Sequence, residues 1–154
     1  MDITFEWTDG NSEDFARFYR ITEDYYSAIV GGEDKRKGFI PYNLSSVIEN
    51  VLIVRSGGEA VACAGLKGYS EKDAEIKRVW VEPECRGKHI AAEMMELLEE
   101  KARQRGFARL ILQTRDIMGD AVGLYTRLGY HRIENYPPYN KLEGAVCFAK
   151  ELNL

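Results

Sequence analysis

Pro83 and Gly87 stand between two runs of opposite character, and this junction fixes the middle of the chain. Glu75 to Val81 is rich in β-branched and aromatic residues and reads as a strand. Pro83 stops it, because proline offers no N–H to a ladder. Glu84 to Gly87 reads as a short turn, and from Lys88 a helical pattern runs to Arg105. No Ser, Thr, Asp or Asn occupies positions 86 to 89 to cap that helix. Its first N–H groups therefore need another acceptor. Gly87 lets the backbone approach a ligand, and Arg86 and Lys88 flank the same turn. Exposed donors, the positive helix end and two cations together suit a phosphate or pyrophosphate. The plainer alternative is a strand-to-helix turn whose N–H groups face water.

The flanking segments give the order of elements. Ile3 to Trp7 alternates as a half-buried strand, and Ser12 can cap a helix carrying Phe15, Phe18, Tyr19, Tyr25, Tyr26 and Ile29. Those rings are either core or the lining of a substrate groove. Gly31 and Gly32 end the run. A loop holding Lys35, Arg36 and Lys37 follows, then an extended piece from Phe39 to Asn43 and a short helix from Asn43 or Ser45 to near Asn50. Val51–Arg55 and Ala60–Leu66 form a hairpin around Gly57 and Gly58, and the small residues Ala60, Ala62, Ala64 and Gly65 leave room for a close neighbour. Beyond the central helix, whose Glu93, Glu96, Glu99 and Glu100 lie mostly off its apolar face, Ala108–Thr114 reads as a strand completing a βαβ unit. Asp120–Leu128 is a second amphipathic helix, Tyr130–Tyr136 a strand, and Ala145–Lys150 a last strand. The order β α α β β β α β α β β predicts an α+β chain with a mixed sheet of about seven strands and about four helices.

Composition narrows the function. The 154 residues suit one domain, and 45% apolar with 30% charged residues is ordinary for a soluble globular protein. A net charge of −4 argues against nucleic acid as partner. No run is long and apolar enough for a membrane span, and MDITFEW is not a secretory signal. The three cysteines show no metal spacing, which points to reduced thiols, a cytoplasmic location and no bound metal.

The Walker pattern, G-x-G-x-x-G, G-x-S-x-G and H-E-x-x-H are all absent. What remains is a match of a different kind. Arg86, Gly87, Lys88, His89, Ile90 and Ala91 resemble the acetyl-CoA signature R/Q-x-x-G-x-G/A of the GNAT N-acetyltransferase superfamily, with His89 in place of the central glycine. Downstream, Ala121, Leu124, Tyr125, Leu128, Gly129 and Tyr130 resemble the superfamily's A-x-x-x-Y followed by L-G-F/Y. The asparagine often found three residues before that alanine is Met118 here. The resemblance is specific from Glu75 to Tyr130 and loose over the first seventy residues, where acceptors are usually chosen.

The resemblance implies a GNAT fold, acetyl-CoA as cosubstrate and a small-molecule amine as acceptor; a protein or peptide acceptor, or a CoA-binding module without catalysis, are the other readings. A homodimer is compatible with it. The pyrophosphate would rest on the N–H groups of Gly87 to Ala91, with charge from Arg86 and Lys88. The pantetheine arm would pair with main-chain groups of Val79, Trp80 and Val81. Glu75 is the candidate base, or else a solvent-facing strand carboxylate. Tyr125 is the candidate acid for the leaving thiolate, although its spacing alone also suits a core tyrosine. Tyr136 to Tyr139 form a stiff aromatic loop, read as a wall of the acceptor pocket or as a packed turn or dimer contact.

Overall fold

The computed structural model describes residues 2–30 and 48–152. The glycine stop at Gly31 and Gly32, the loop with Lys35 to Lys37 and the extended piece from Phe39 to Asn43 lie outside those residues. The short helix predicted next does too, and where its end was expected Asn50 opens a strand.

Strand β1 (Ile3–Thr8) leads to helix α1 (Glu13–Val30). Ser12 caps it, its Oγ accepting from the Phe15 N–H at 3.3 Å. Strands β2 (Asn50–Ser56) and β3 (Glu59–Gly68) form the predicted hairpin, with Gly57 and Gly58 at φ +59° and +88°. A two-residue turn with both φ values positive matches the strand twist and suits glycine. Strand β4 (Asp73–Val81), helix α2 (Ile90–Gln104) and strand β5 (Arg109–Arg115) make the βαβ unit. Helix α3 (Gly119–Arg127), a short β6 (His131–Ile133) and β7 (Ala145–Glu151) complete the chain. The described residues thus hold seven strands and three α-helices; the fourth predicted helix falls outside them.

The seven strands form one sheet in the order β1-β2-β3-β4-β5-β7-β6. Only β4 and β5 pair in parallel, as a helical crossover demands. Strand β6 is shorter than the Tyr130–Tyr136 run predicted, pairing with β7 only from His131 to Ile133.

Each face of the sheet carries its own core. Under α2 and α3, Leu52, Val54, Ala62, Ala74, Ile76, Met94, Leu98 and Phe148 pack with Tyr125. On the other face Phe15 and Phe18 of α1 meet Val51, Ile53, Cys63 and Trp80. Further along that face Tyr136 and Tyr139 cover Ile111, Cys147 and Ala149. Among the small residues of β3, Gly65 has the close neighbour expected: a Cβ there would stand 2.9 Å from Ile48 Cγ2 and 3.2 Å from the Lys77 carbonyl. Glu99 departs from the outward placement predicted for the α2 glutamates. It is buried, within 3.2 Å of Lys150 Nζ and 3.4 Å of the Tyr130 hydroxyl. A carboxylate withdrawn from water needs such partners.

Strand β4 is irregular at its centre. Its register with β3 shifts between Cys63 and Gly65, and Arg78 takes φ +60°. This bulge is tied to α1: Arg78 donates to Glu23 at 2.8 Å, to Thr22 Oγ1 at 2.6 Å and to the Tyr19 carbonyl at 3.2 Å. Bulges kink strands and re-aim side chains, and they gather beside active sites.

Candidate active site

The β4–β5 ladder runs only from Asp73↔Arg109 to Ile76↔Leu112. Beyond it β4 stays on β3 and β5 stays on β7, so the two central strands part. The opening is a cleft of about 570 Å³. Its walls include Glu75, Lys77, Val79, Trp80 and Val81 of β4 and Gln113 to Arg115 of β5. Arg86, Ala91, Met118, Tyr125, Tyr139 and, from α1, Tyr25 also line it.

At the head of α2, Arg86 donates its N–H to the Pro83 carbonyl at 3.3 Å. The N–H groups from Gly87 to Ala92 have no acceptor among the described residues, and the next donor in line, Glu93, bonds the His89 carbonyl. The helix begins at Ile90 rather than at Lys88, with His89 as an N-cap whose side chain makes no capping bond. Gly87 has φ +80° and open space where a Cβ would lie. His89 has φ +63°. It therefore holds the left-handed conformation that glycine would take without cost, at an expense of about 1–2 kcal/mol. A row of N–H groups without protein acceptors at a helix start is the kind of place an anion can occupy.

The side chains of this loop divide. Ile90 is buried in the core beneath the sheet, so only its N–H can face a ligand. Lys88 and His89 are exposed and stand outside the cleft walls. Arg86 lines the cleft but is folded back: its guanidinium lies 4.8 Å from the Trp80 ring centroid and donates to the Val81 carbonyl at 2.8 Å. Trp80 itself faces α1, edge-on to Tyr25 at 5.0 Å. The aromatic stripe of α1 thus serves both predicted ends, with Phe15 and Phe18 in the core and Tyr25 at the cleft.

Tyr125 is buried against Tyr130 and Phe148, and it also lines the cleft. Tyr125 is thus packed as a core tyrosine and also borders the cleft, where the candidate acid would have to stand. Met118, where the superfamily often has asparagine, is at the cleft wall and precedes α3 without a side-chain capping bond.

Glu75 is not the solvent-facing carboxylate that was the alternative to a base. It is 4% exposed, accepts from the Tyr136 hydroxyl at 2.7 Å and lies 3.9 Å from Lys77 Nζ. Lys77 in turn donates to the Tyr139 hydroxyl at 2.6 Å. Burial lowers the Lys77 pKa to about 8, an effect that Glu75 opposes and Lys67 and Arg78 reinforce. Burial also pushes the Tyr136 phenol well above its ordinary range, with the Glu75 charge adding to the rise. Tyr139 lines the cleft. Tyr136 is not among the lining residues; it stands behind Glu75 and holds it.

Sequence reasoning missed Lys77 and Arg78. A signal for Lys77 existed, since Glu75 and Lys77 sit two apart in the strand, on either side of Ile76, and so share one face.

The model of the acetyltransferase (GNAT) family matches residues 15–130. The chain belongs to the GNAT family. Among curated GNAT relatives, the IAA acetyltransferase of Azospirillum brasilense is 30% identical over 89 residues, 57% of this chain and 58% of that protein. The uncharacterized N-acetyltransferase YjgM of Escherichia coli K12 is 32% identical over 85 residues, 53% of this chain and 51% of that one. The chain therefore spans a little over half the length of the curated relatives it matches. Solved structures extend the likeness to the whole fold. A candidate acyl-CoA N-acyltransferase from Klebsiella pneumoniae superposes with a TM-score of 0.81 at 27% identity, over 98% of both chains. A GNAT acetyltransferase from Elizabethkingia anophelis, solved with acetyl-CoA bound, gives 0.69 at 17% identity over 97% of this chain and 98% of that one. The fold is the GNAT acyl-CoA N-acyltransferase fold. None of the helices in the described residues is long and apolar enough to cross a membrane.

Proposed function

We propose that this GNAT chain is an acetyl-CoA-dependent N-acetyltransferase whose acceptor is a primary amine on a small or amino-acid-like molecule. One observation carries the reading: the β4–β5 opening, Tyr125 and, from the head of α2, Arg86 and Ala91 line a single cleft, and the N–H groups between those two residues have no protein acceptor among the described residues. The residues fit the cosubstrate. The donors from Gly87 to Ala91 would hold its pyrophosphate, and main-chain groups of Val79 to Val81 would hold its amide arm. Bound there, acetyl-CoA supplies an acetyl group activated as a thioester.

The chain's own residues meet the remaining demands. A primary amine with pKa near about 10.4 is mostly protonated at pH 7, and freeing it costs roughly 4 to 5 kcal/mol. Glu75, at the cleft and fixed by Tyr136, takes that proton directly or through a water. An N–H near Val79 stabilises the oxyanion beside the β4 bulge. The Tyr125 hydroxyl returns a proton to the departing thiolate. Three buried cysteines without a disulfide among the described residues accord with a cytoplasmic location.

The test is thiol release from acetyl-CoA, with and without a panel of amines, beside thermal stabilisation by CoA. Amine-dependent release supports the transferase. Stabilisation by CoA with no turnover of any amine or peptide acceptor would replace it with a CoA-binding module.

A further inference from the structure

Glu75 and Lys77 form a carboxylate and an ammonium side by side, 3.9 Å apart, each side chain 5% exposed and both at the cleft wall. We propose that this pair is a template for a zwitterion, so that the acceptor is a short amino carboxylate whose ammonium meets Glu75 and whose carboxylate meets Lys77. The inference rests on the transferase reading above and names its acceptor.

The arrangement is fixed before any acceptor arrives. Tyr136 donates to Glu75 at 2.7 Å, and Tyr139 receives Lys77 at 2.6 Å, so neither charged head must be ordered on binding. Both are withdrawn from bulk water, where charges act with little screening. A free amino acid presents the opposite pair of charges at a similar spacing. An amine without the carboxylate brings only a second cation beside Lys77, which repels it. An amide or a peptide N-terminus has no anion next to its amine either. Lys77 keeps its charge at neutral pH, with its pKa near 8 in the company of Glu75, Lys67 and Arg78.

The same pair serves the chemistry. Glu75 draws the acceptor nitrogen to the atom that removes its proton, while Lys77 fixes the other end of the molecule. Lys77 is a specificity residue in this account, and the proton still leaves through Glu75. The balance of the reaction is unchanged: the C–S bond breaks and the C–N bond forms, and of the two protons the ammonium loses, one leaves through Glu75 to solvent and the other is matched by the proton gained by the thiol.

The experiment compares each of the twenty α-amino acids with its amide and its decarboxylated amine, in the full chain, by thiol release from acetyl-CoA. At least one amino acid is expected to exceed both analogues by about tenfold or more in kcat/KM. Lys77→Met should erase that preference from both sides, raising KM for the amino acid and lowering it for the amide and the amine, which no longer meet a second cation, and Lys77→Arg should restore part of it. Equal turnover of acid, amide and amine overturns the inference and leaves the transferase standing, as does a Lys77→Met loss shared equally by all three. That comparison on the wild-type chain decides the matter even if Lys77→Met fails to fold. Failure to bind acetyl-CoA at all overturns the transferase reading, and the inference with it.

Discussion

Tyr136 and Glu75 are 61 residues apart in the chain and 2.7 Å apart in the fold, joined by a hydrogen bond inside the protein. A buried carboxylate is held by the donors around it, and removing one leaves it to bear its own desolvation. Tyr136→Phe keeps the ring and removes the donor. It should cost about 1–3 kcal/mol in chemical denaturation and slow turnover, with acetyl-CoA affinity unchanged. An unaltered rate would detach Tyr136 from the positioning of Glu75.

Tyr125→Phe preserves the packing against Tyr130 and Phe148 while removing the hydroxyl at the cleft. Turnover should fall at least about tenfold with little change in CoA Kd. Equal rates in steady-state assays would take Tyr125 out of the proton transfer.

Arg86→Ala removes a guanidinium that leans on Trp80 and bonds the Val81 carbonyl. Cofactor binding should weaken more than chemistry slows, because the end of β4 and the start of the donor loop are braced by this one side chain. Calorimetry of CoA binding checks it, and an unmoved Kd would remove Arg86 from the anion site.

His89→Gly relieves a left-handed residue at φ +63°. The gain in the folded state is partly offset by the freedom glycine adds to the unfolded chain. A net stabilisation of up to about 1 kcal/mol is expected, read as a rise in Tm of about 2–4 °C, with CoA binding retained. A lower Tm would show that the imidazole makes up for its backbone.

Alkaline pH should erode stability in a defined window. Burial pushes the Cys63 thiol up to about 12 from 9.0, and the Tyr130 and Tyr136 phenols rise as well. These groups keep their protons in the fold after the unfolded chain has lost them. Stability therefore falls as pH passes 9, by at most about 1.4 kcal/mol per unit for the thiol alone. Lys77 acts in the opposite sense between about 8 and 10.5, where the unfolded chain binds the extra proton. Urea denaturation at pH 7, 8.5 and 10 reads the balance, and Cys63→Ala should flatten the decline.

Local patterning carried much of this structure. The Gly57–Gly58 hairpin, the Ser12 cap and the strand–helix–strand unit depend on neighbours in sequence, so they were readable. The donor loop was readable for the same reason, down to its missing cap. What escaped depends on distant partners. Glu99 looks like a solvated helix residue until Lys150 and Tyr130 arrive beside it. Tyr136 looks like a pocket wall until Glu75 is found in front of it. Arg86 reads as an anion ligand by its position, but its contacts to Trp80 and Tyr25 arise from tertiary packing.

Arg78 stands outside the two-residue rhythm of its own strand. Omitting it, Ala74, Ile76, Val79 and Val81 fall in one phase, and Glu75, Lys77 and Trp80 in the other. The side of the sheet that displays the acid and the ammonium is thus settled by counting. Sliding β4 one position along β5 would turn both beneath α2 and aim Ile76 at the acceptor. A relative could then keep every residue of the donor loop and still have nothing to offer an incoming amine.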